Sequence, residues 1–215
     1  MVVSIIFTHW SMNPNRSEQM RTSMSSLLNT VEDCEIIVVD NGGSLEDSKW
    51  LLGLTNDGHI ASYTRFRKNM HFWYARNLAL TIATGKYIVI MDNDIQFTHL
   101  GWLQECIAFL DKNKGKYLAT PINADPMNSI RKDRWVGEVG GWKLNSRAGS
   151  NCWVMRREDY EIIGNFDQHR IAGSKWADRY TRLGYTMACM PQPKAIDLCF
   201  RKGYNISMPI NNLTL

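Results

Sequence analysis

The sequence predicts an α/β fold in which helices cover both faces of a mainly parallel sheet. Two observations carry this. Between residues 2 and 120, short apolar runs rich in β-branched residues alternate with amphipathic stretches in the order β-α-β-α-β-α-β-α-β, the pattern of crossover connections between parallel strands. Two of the runs, Glu35-Ile36-Ile37-Val38-Val39-Asp40 and Tyr87-Ile88-Val89-Ile90-Met91-Asp92-Asn93-Asp94, stop abruptly on carboxylates. In open α/β sheets, the carboxyl ends of strands are where ligands bind.

Residues 2–8 read as the first strand, and residues 9–15 as a loop punctuated by Pro14. A helix over residues 17–30 follows, with Met20, Met24, Leu27 and Leu28 on one face. After the strand ending at Asp40, Asn41-Gly42-Gly43-Ser44 is a tight turn into a helix over residues 45–54. Residues 60–66 form a short strand, and Arg65-Phe66-Arg67-Lys68-Asn69 a basic loop. A helix over residues 72–83 has Phe72, Ala75, Leu78, Ala79 and Ile82 on its apolar face, with Gly85 just beyond its end. The strand Tyr87–Met91, a helix over residues 99–113 and the strand Tyr117–Thr120 complete the alternation. From 122 to 150 the reading is irregular chain and short antiparallel strands. Strand 152–155, helix Arg157–Ile163, helix 174–183 and short strands at 186–190 and 195–198 come next, before a weakly patterned tail from 202 to 215.

Composition narrows the function classes. At 215 residues, with 44% hydrophobic and 21% charged, the chain is one ordinary globular domain. A net charge of +4 suits a phosphorylated ligand and is too weak to argue for nucleic acid by itself. Eight tryptophans serve a core or a surface that stacks on sugars or bases; Arg131-Lys132-Asp133-Arg134-Trp135 and Gly141-Trp142-Lys143 are candidates for such a surface. The five cysteines, Cys34, Cys106, Cys152, Cys189 and Cys199, show no metal or disulfide spacing, which suggests reduced thiols and a cytoplasmic setting. The opening run lacks a basic flank and is too short for a signal peptide. No run has transmembrane length, so any membrane association is expected to be peripheral.

The chemistry is expected at the two acidic strand ends. Asp92 and Asp94, two positions apart, offer hard oxygens to a divalent cation such as Mg2+ or Mn2+, although a lone Asp-x-Asp is also ordinary turn material. Asp40 occupies the equivalent place on another strand, and together they suggest a nucleoside diphosphate with its cation. Neither a G-x-x-x-x-G-K-[ST] loop nor a G-x-G-x-x-G after the first strand is present, so the phosphates fall to a metal rather than a glycine cradle.

On these residues the chain resembles the nucleotide-sugar half of the GT-A (Rossmann-like) glycosyltransferases, specifically glycosyltransferase family 2. The matching residues are Thr8 on the first strand, Ile36 through Ser44, Ala75-Arg76-Asn77, and Gly85-Lys86-Tyr87 running into Met91-Asp92-Asn93-Asp94, the family's DXD position. Trp153-Val154-Met155-Arg156-Arg157-Glu158 through Gly164-Asn165-Phe166-Asp167 is similar to the segment that opens the family's acceptor half. The resemblance implies a single GT-A domain over residues 1–215, with a nucleotide-sugar half to about 120 and a smaller mixed acceptor-side sheet beyond. It implies that Asp40, with Asn41, contacts the base. Thr8 would sit beside the nucleotide, Arg76 and Asn77 under the donor, and Asp92 and Asn93 on the ribose and sugar side. Asp94, with Asp92 beside it, would bind the cation (Mn2+ or Mg2+). Lys68 would add positive charge against the leaving diphosphate.

The departures from the family pattern are specific. Asn69-Met70-His71 stands where the family usually has Asn-x-Gly, and no Glu-Asp pair precedes the helix ending in Gly184-Tyr185. An inverting transfer needs a base for the acceptor hydroxyl; Asp178 is the nearest carboxylate and Asp167 the reserve. Asp197 replaces the family's C-terminal His as a further metal ligand. The expected activity is transfer of a sugar from a nucleoside diphosphate sugar, a UDP-sugar among the candidates, to a glycan, a protein or a nucleic-acid base. Two alternatives stand beside it: a nucleotidyltransferase, disfavoured because residues 9–16 contain no Gly, and a binding module for a nucleotide sugar or nucleic acid that has lost its base.

Overall fold

The computed structural model describes residues 2–11, 13–122, 134–146, 151–169 and 172–198. The first half builds β1 (Val3–His9), α1 (Pro14–Leu28), β2 (Cys34–Asp40), α2 (Leu45–Asn56), β3 (Ser62–Arg65), α3 (Phe72–Ile82) and β4 (Tyr87–Met91). The second adds β5 (Ile95–Phe97), α4 (Trp102–Lys112), β6 (Tyr117–Thr120), β7 (Trp135–Val139), β8 (Trp142–Asn145), β9 (Cys152–Arg156), α5 (Arg157–Ile163), α6 (Ala172–Arg182), β10 (Thr186–Cys189) and β11 (Ala195–Asp197).

Nine of these strands form one sheet in the order β3-β2-β1-β4-β9-β6-β10-β8-β7. The first four are parallel, as the alternation predicts. β9 inserts antiparallel between β4 and β6, so the sheet becomes mixed in its second half. Side chains alternate across the sheet, as the two-residue strand period requires. Ile5, Phe7, Ile36, Val38, Val89 and Met91 pack against α1, α2 and α4. Ile6, Ile37, Val39, Ile88 and Ile90 face α3, α5 and α6.

Three local differences from the sequence reading matter. First, α1 begins at Pro14, not at residue 17. Asn13 caps it by accepting from the Arg16 N–H at 3.1 Å, and proline suits the first helical turn because its missing N–H is not needed there. Arg16 thereby joins the helix. Second, Ile95–Phe97 is a strand that the periodicity was too short to reveal; it pairs antiparallel with β11, setting Asp197 opposite Ile95. Third, four of the eight tryptophans, Trp102, Trp142, Trp153 and Trp176, fill the core. Trp153 stacks on Trp176 at 4.7 Å and Phe166 on Trp176 at 5.2 Å, while Trp142 is buried against Phe109 and is not an acceptor surface. Residues 131–133 and the tail from 199 lie outside the described residues. Among the described residues, no helix is long and apolar enough to cross a membrane.

Candidate active site

The chain runs from β1 to β2 to β3 on one side, then returns to place β4 on the other side of β1. That reversal of strand order opens a crevice at the carboxyl ends of β1 and β4, which is where doubly wound sheets take ligands. The cleft has a volume of about 460 Å³. Thr8, His9 and Trp10 line it from the end of β1, Asn41 from β2, Asp92 and Asn93 from β4, and Asn69, His71, Phe72 and Arg76 from the approach to α3 and its first turns. Arg16 reaches in from α1. Of the sequence-predicted residues, Thr8, Asn41, Arg76, Asp92 and Asn93 thus converge here.

Arg76 and Asp92 form the floor. The guanidinium is 2% exposed and pairs with the Asp92 carboxylate through Nη2. It lies over the rings of both Phe72 and Phe166, at 5.1 and 5.5 Å from their centroids. Its Nε and Nη1 have no hydrogen-bond partner. Burying a cation with two unmade donors is costly unless an anion completes it. Burial pushes the Asp92 carboxyl up to about 6; Arg76 opposes this, and the nearby charges of Asp94 and Asp197 add to it.

Asp94 and Asp197 stand beside this pair. Arg16 Nη1 is 2.7 Å from Asp94 Oδ2, Asn151 donates to the Asp197 carboxylate, and the Leu198 N–H donates to the Asp94 carbonyl at 2.8 Å. Among the described residues, no three His, Cys, Asp or Glu side chains close into a ready-made metal cage. Asp92, Asp94 and Asp197 offer carboxylate oxygens, and Mg2+ or Mn2+ is commonly held by one or two carboxylates together with substrate phosphates. The donor set is hard oxygen, and a cation would offset the burial that raises Asp92 and the repulsion that Asp94 and Asp197 add to it. The residues therefore fit an ion that arrives with a diphosphate.

Other predicted residues sit elsewhere. Asp40 does not face the cleft: it is fully buried and its carboxylate accepts from the Gly43 N–H at 2.7 Å, the Ser48 hydroxyl and the Tyr63 hydroxyl, with Arg65 Nε at 3.3 Å. Its acceptor sites go to shaping the turn, and the neighbouring Asn41 is the residue that lines the cleft. Asn77 is likewise occupied. Its amide donates to the Phe166 carbonyl and accepts from the Phe166 N–H, both at 2.9 Å, clamping α3 to the loop after α5. Lys68 is exposed and is not among the lining residues; its backbone packs under Gly42, where a Cβ would meet it at 2.6 Å.

Asn93 is held from behind by residues that sequence reasoning missed. Its amide nitrogen faces His9 Nδ1 at 3.1 Å and the Trp10 carbonyl at 3.4 Å. With the Asn93 amide nitrogen so placed, the ring accepts at Nδ1 and carries its proton on Nε2, which is buried, makes no hydrogen bond and lies 3.4 Å from the Asp47 carboxylate. Burial holds His9 below its ordinary value despite the charges of Asp40 and Asp47, so the ring is neutral near pH 7. Trp10, 42% exposed, also lines the cleft. The only sequence signal for either was position, directly after Thr8.

The two nominated bases separate. Asp178, on α6, lines a different depression with Arg134, Ser146, Thr181 and Arg182. Asp167 follows Phe166, whose ring covers Arg76, and is ion-paired with Arg179 at 2.5 Å.

Fold and cleft together define an α/β protein of the GT-A type. The chain belongs to glycosyltransferase family 2, whose model, "Glycosyl transferase family 2", matches residues 13–163. A search of curated protein sequences returns no match. Among solved structures, the chain is similar to the mannosyltransferase PcManGT from Pyrobaculum calidifontis in complex with GDP-Man and Mn2+, at TM-score 0.72 and 16% identity over 94% of this chain. It is also similar to TarS 1–349 of S. aureus (TM-score 0.64, 16% identity, 89% of this chain) and to GalNAc-T7 with UDP, GalNAc and Mn2+ (0.67, 11%, 90%). The chain spans 58%, 58% and 43% of those three chains.

Proposed function

We propose that this chain transfers a sugar from a nucleoside diphosphate sugar, a UDP- or GDP-sugar being the first to test, to an acceptor hydroxyl or amine. The carrying observation is Arg76: a buried cation with two unused donor nitrogens, paired with Asp92 at the acidic end of β4, in the crevice where strand order reverses. Family membership and similarity to two proteins solved with a nucleotide or nucleotide sugar and Mn2+ support the same reading.

In this reading the Trp10 face takes the base and Thr8 and Asn41 border the nucleotide. The free Nε and Nη1 of Arg76 donate to the diphosphate. Asp94, with Asp92 and Asp197, would hold Mn2+ or Mg2+, an ion that neutralises charge on the leaving nucleoside diphosphate. Asn93, fixed by His9, faces the sugar side. Asp167 is the better-placed base of the two candidates, since it adjoins the Phe166 ring over Arg76, whereas Asp178 opens onto another depression.

A thermal-shift screen of UDP- and GDP-sugars with and without Mn2+ tests donor binding, because a ligand raises apparent stability. Released nucleoside diphosphate then measures transfer or hydrolysis. Asp94→Ala is expected to abolish Mn2+-dependent turnover. Nucleotide binding without turnover of any donor would reduce the protein to a binding module. If the acceptor is nucleic acid, its binding weakens steeply with added salt.

A further inference from the structure

His71 is the cleft residue that this chemistry leaves without a role. It directly precedes α3 with φ 68° and ψ 146°, close to a region essentially confined to glycine, where other residues persist only if the surroundings impose it. The other non-glycine residue with positive φ among the described residues is Asp33, at 51°, a type that tolerates the left-handed region in turns. Histidine has less claim to such a conformation, and glycine would follow the same path without strain.

Nothing local demands an imidazole here. The side chain makes no capping bond to α3. The backbone N–H donates to Asn69 Oδ1 at 2.7 Å, a bond that any residue would make. The ring lies parallel to Trp73, with centroids 6.2 Å apart and planes 10° from parallel. That contact steadies the ring at the mouth of the cleft it lines.

Its surroundings point to an anion. α3 starts at Phe72, so the N–H groups of its first turn have no acceptor within the helix and mark its positive end. One turn on, Arg76 lines the same cleft, with its Nε and Nη1 buried and without partners. The two features are independent: one is backbone, the other a side chain that the fold pays to bury.

We propose that His71 is a donor-contacting residue, its imidazole forming with Arg76 and the first turn of α3 a single cradle for the donor diphosphate. The inference rests on the reading of this cleft as a nucleotide-sugar site. It accounts for the strain: the backbone conformation is what sets an imidazole at the rim of the anion site, where glycine would leave the rim open.

Two substitutions separate imidazole from strain. His71→Gly removes both; His71→Ala keeps the Cβ, and so the strain, and removes the imidazole. Affinities for UDP and GDP, with and without Mn2+, are measured by calorimetry, alongside thermal unfolding without ligand. His71→Gly is expected to raise the unfolding midpoint by about 2–4 °C and to weaken the better-bound nucleotide about tenfold. His71→Ala is expected to weaken it by a similar factor with no rise in midpoint. Parental affinity in both variants overturns the contact. Weakening in the Gly variant alone also overturns it, since loop loosening then suffices. An unchanged or lower midpoint in His71→Gly overturns the strain. If the parent chain binds neither nucleotide, the reading of the cleft itself fails, a result distinct from a parent that binds with unaffected variants.

Discussion

Replacing Asp92 by Asn is expected to stabilise the fold near neutral pH while removing donor and metal binding. The Asp92 carboxyl titrates at about 6 in the folded protein, against an ordinary value of 3.8, with burial the largest cause and Asp94 and Asp197 adding to it. Between those values the folded protein holds a proton that the unfolded chain has released. Stability therefore falls as pH rises from 3.8 to about 6, and the loss is complete above that. The gap of 6 − 3.8 = 2.2 pH units, at about 1.36 kcal/mol per unit, corresponds to about 3 kcal/mol. The side chain keeps 35% of its exposure, and solvent screening reduces this to about 1 kcal/mol. Asn has the same shape, carries no charge and still accepts from Arg76. Urea denaturation should find Asp92→Asn about 1 kcal/mol more stable than the parent at about pH 7.5, the advantage vanishing below about pH 4. Equal stability at both pH values would refute the raised Asp92 carboxyl and the burial and carboxylate crowding that cause it. Lower stability at the higher pH would mean that the ion pair with Arg76 outweighs the repulsion.

Three further outcomes follow from the packing. Asn77→Ala breaks both amide bonds to the Phe166 backbone and should cost about 1–3 kcal/mol in urea denaturation; no loss would show that the clamp between α3 and the Phe166 loop is dispensable. Trp176→Ala removes a fully buried ring stacked on Trp153 and Phe166 and should cost about 3–5 kcal/mol, read by the same assay. Gly43→Ala sets a Cβ 2.4 Å from His9 Nε2, so the ring must shift. The expected result is a moved His9 imidazole resonance and weaker nucleotide binding; a changed resonance with unchanged binding would detach His9 from the positioning of Asn93.

Much of the donor half is legible in the sequence because its signals are local. Strand and helix periods need only a few consecutive residues, so β1, β2, β4 and the helices between them could be placed. The carboxylates at Asp92 and Asp94 lie next to their strand in sequence, so their position at the sheet edge follows from the strand itself. Thr8, Asn41, Arg76 and Asn93 reach the cleft for the same reason: each adjoins or lies within an element whose direction the alternation dictates.

What the tertiary structure decided depends on partners far apart in the chain. Asp40 and Asn41 are equally polar neighbours, and only the packing of Gly43, Ser48, Tyr63 and Arg65 around the first leaves the second to line the cleft. Arg16 meets Asp94 across 78 residues, and Asp197 reaches the acidic group because β11 pairs with β5. Asp178 and Asp167, alike as sequence candidates, part because α6 sets Asp178 beside Arg134 and Ser146, whereas Asp167 follows Phe166, whose ring covers Arg76. The sequence by itself determined a GT-A-like sheet with acidic strand ends, since hydrophobic periodicity acts over a few residues. Which carboxylates face the ligand and which face the protein was decided in three dimensions, where burial and hydrogen-bond partners from distant segments compete for the same oxygens.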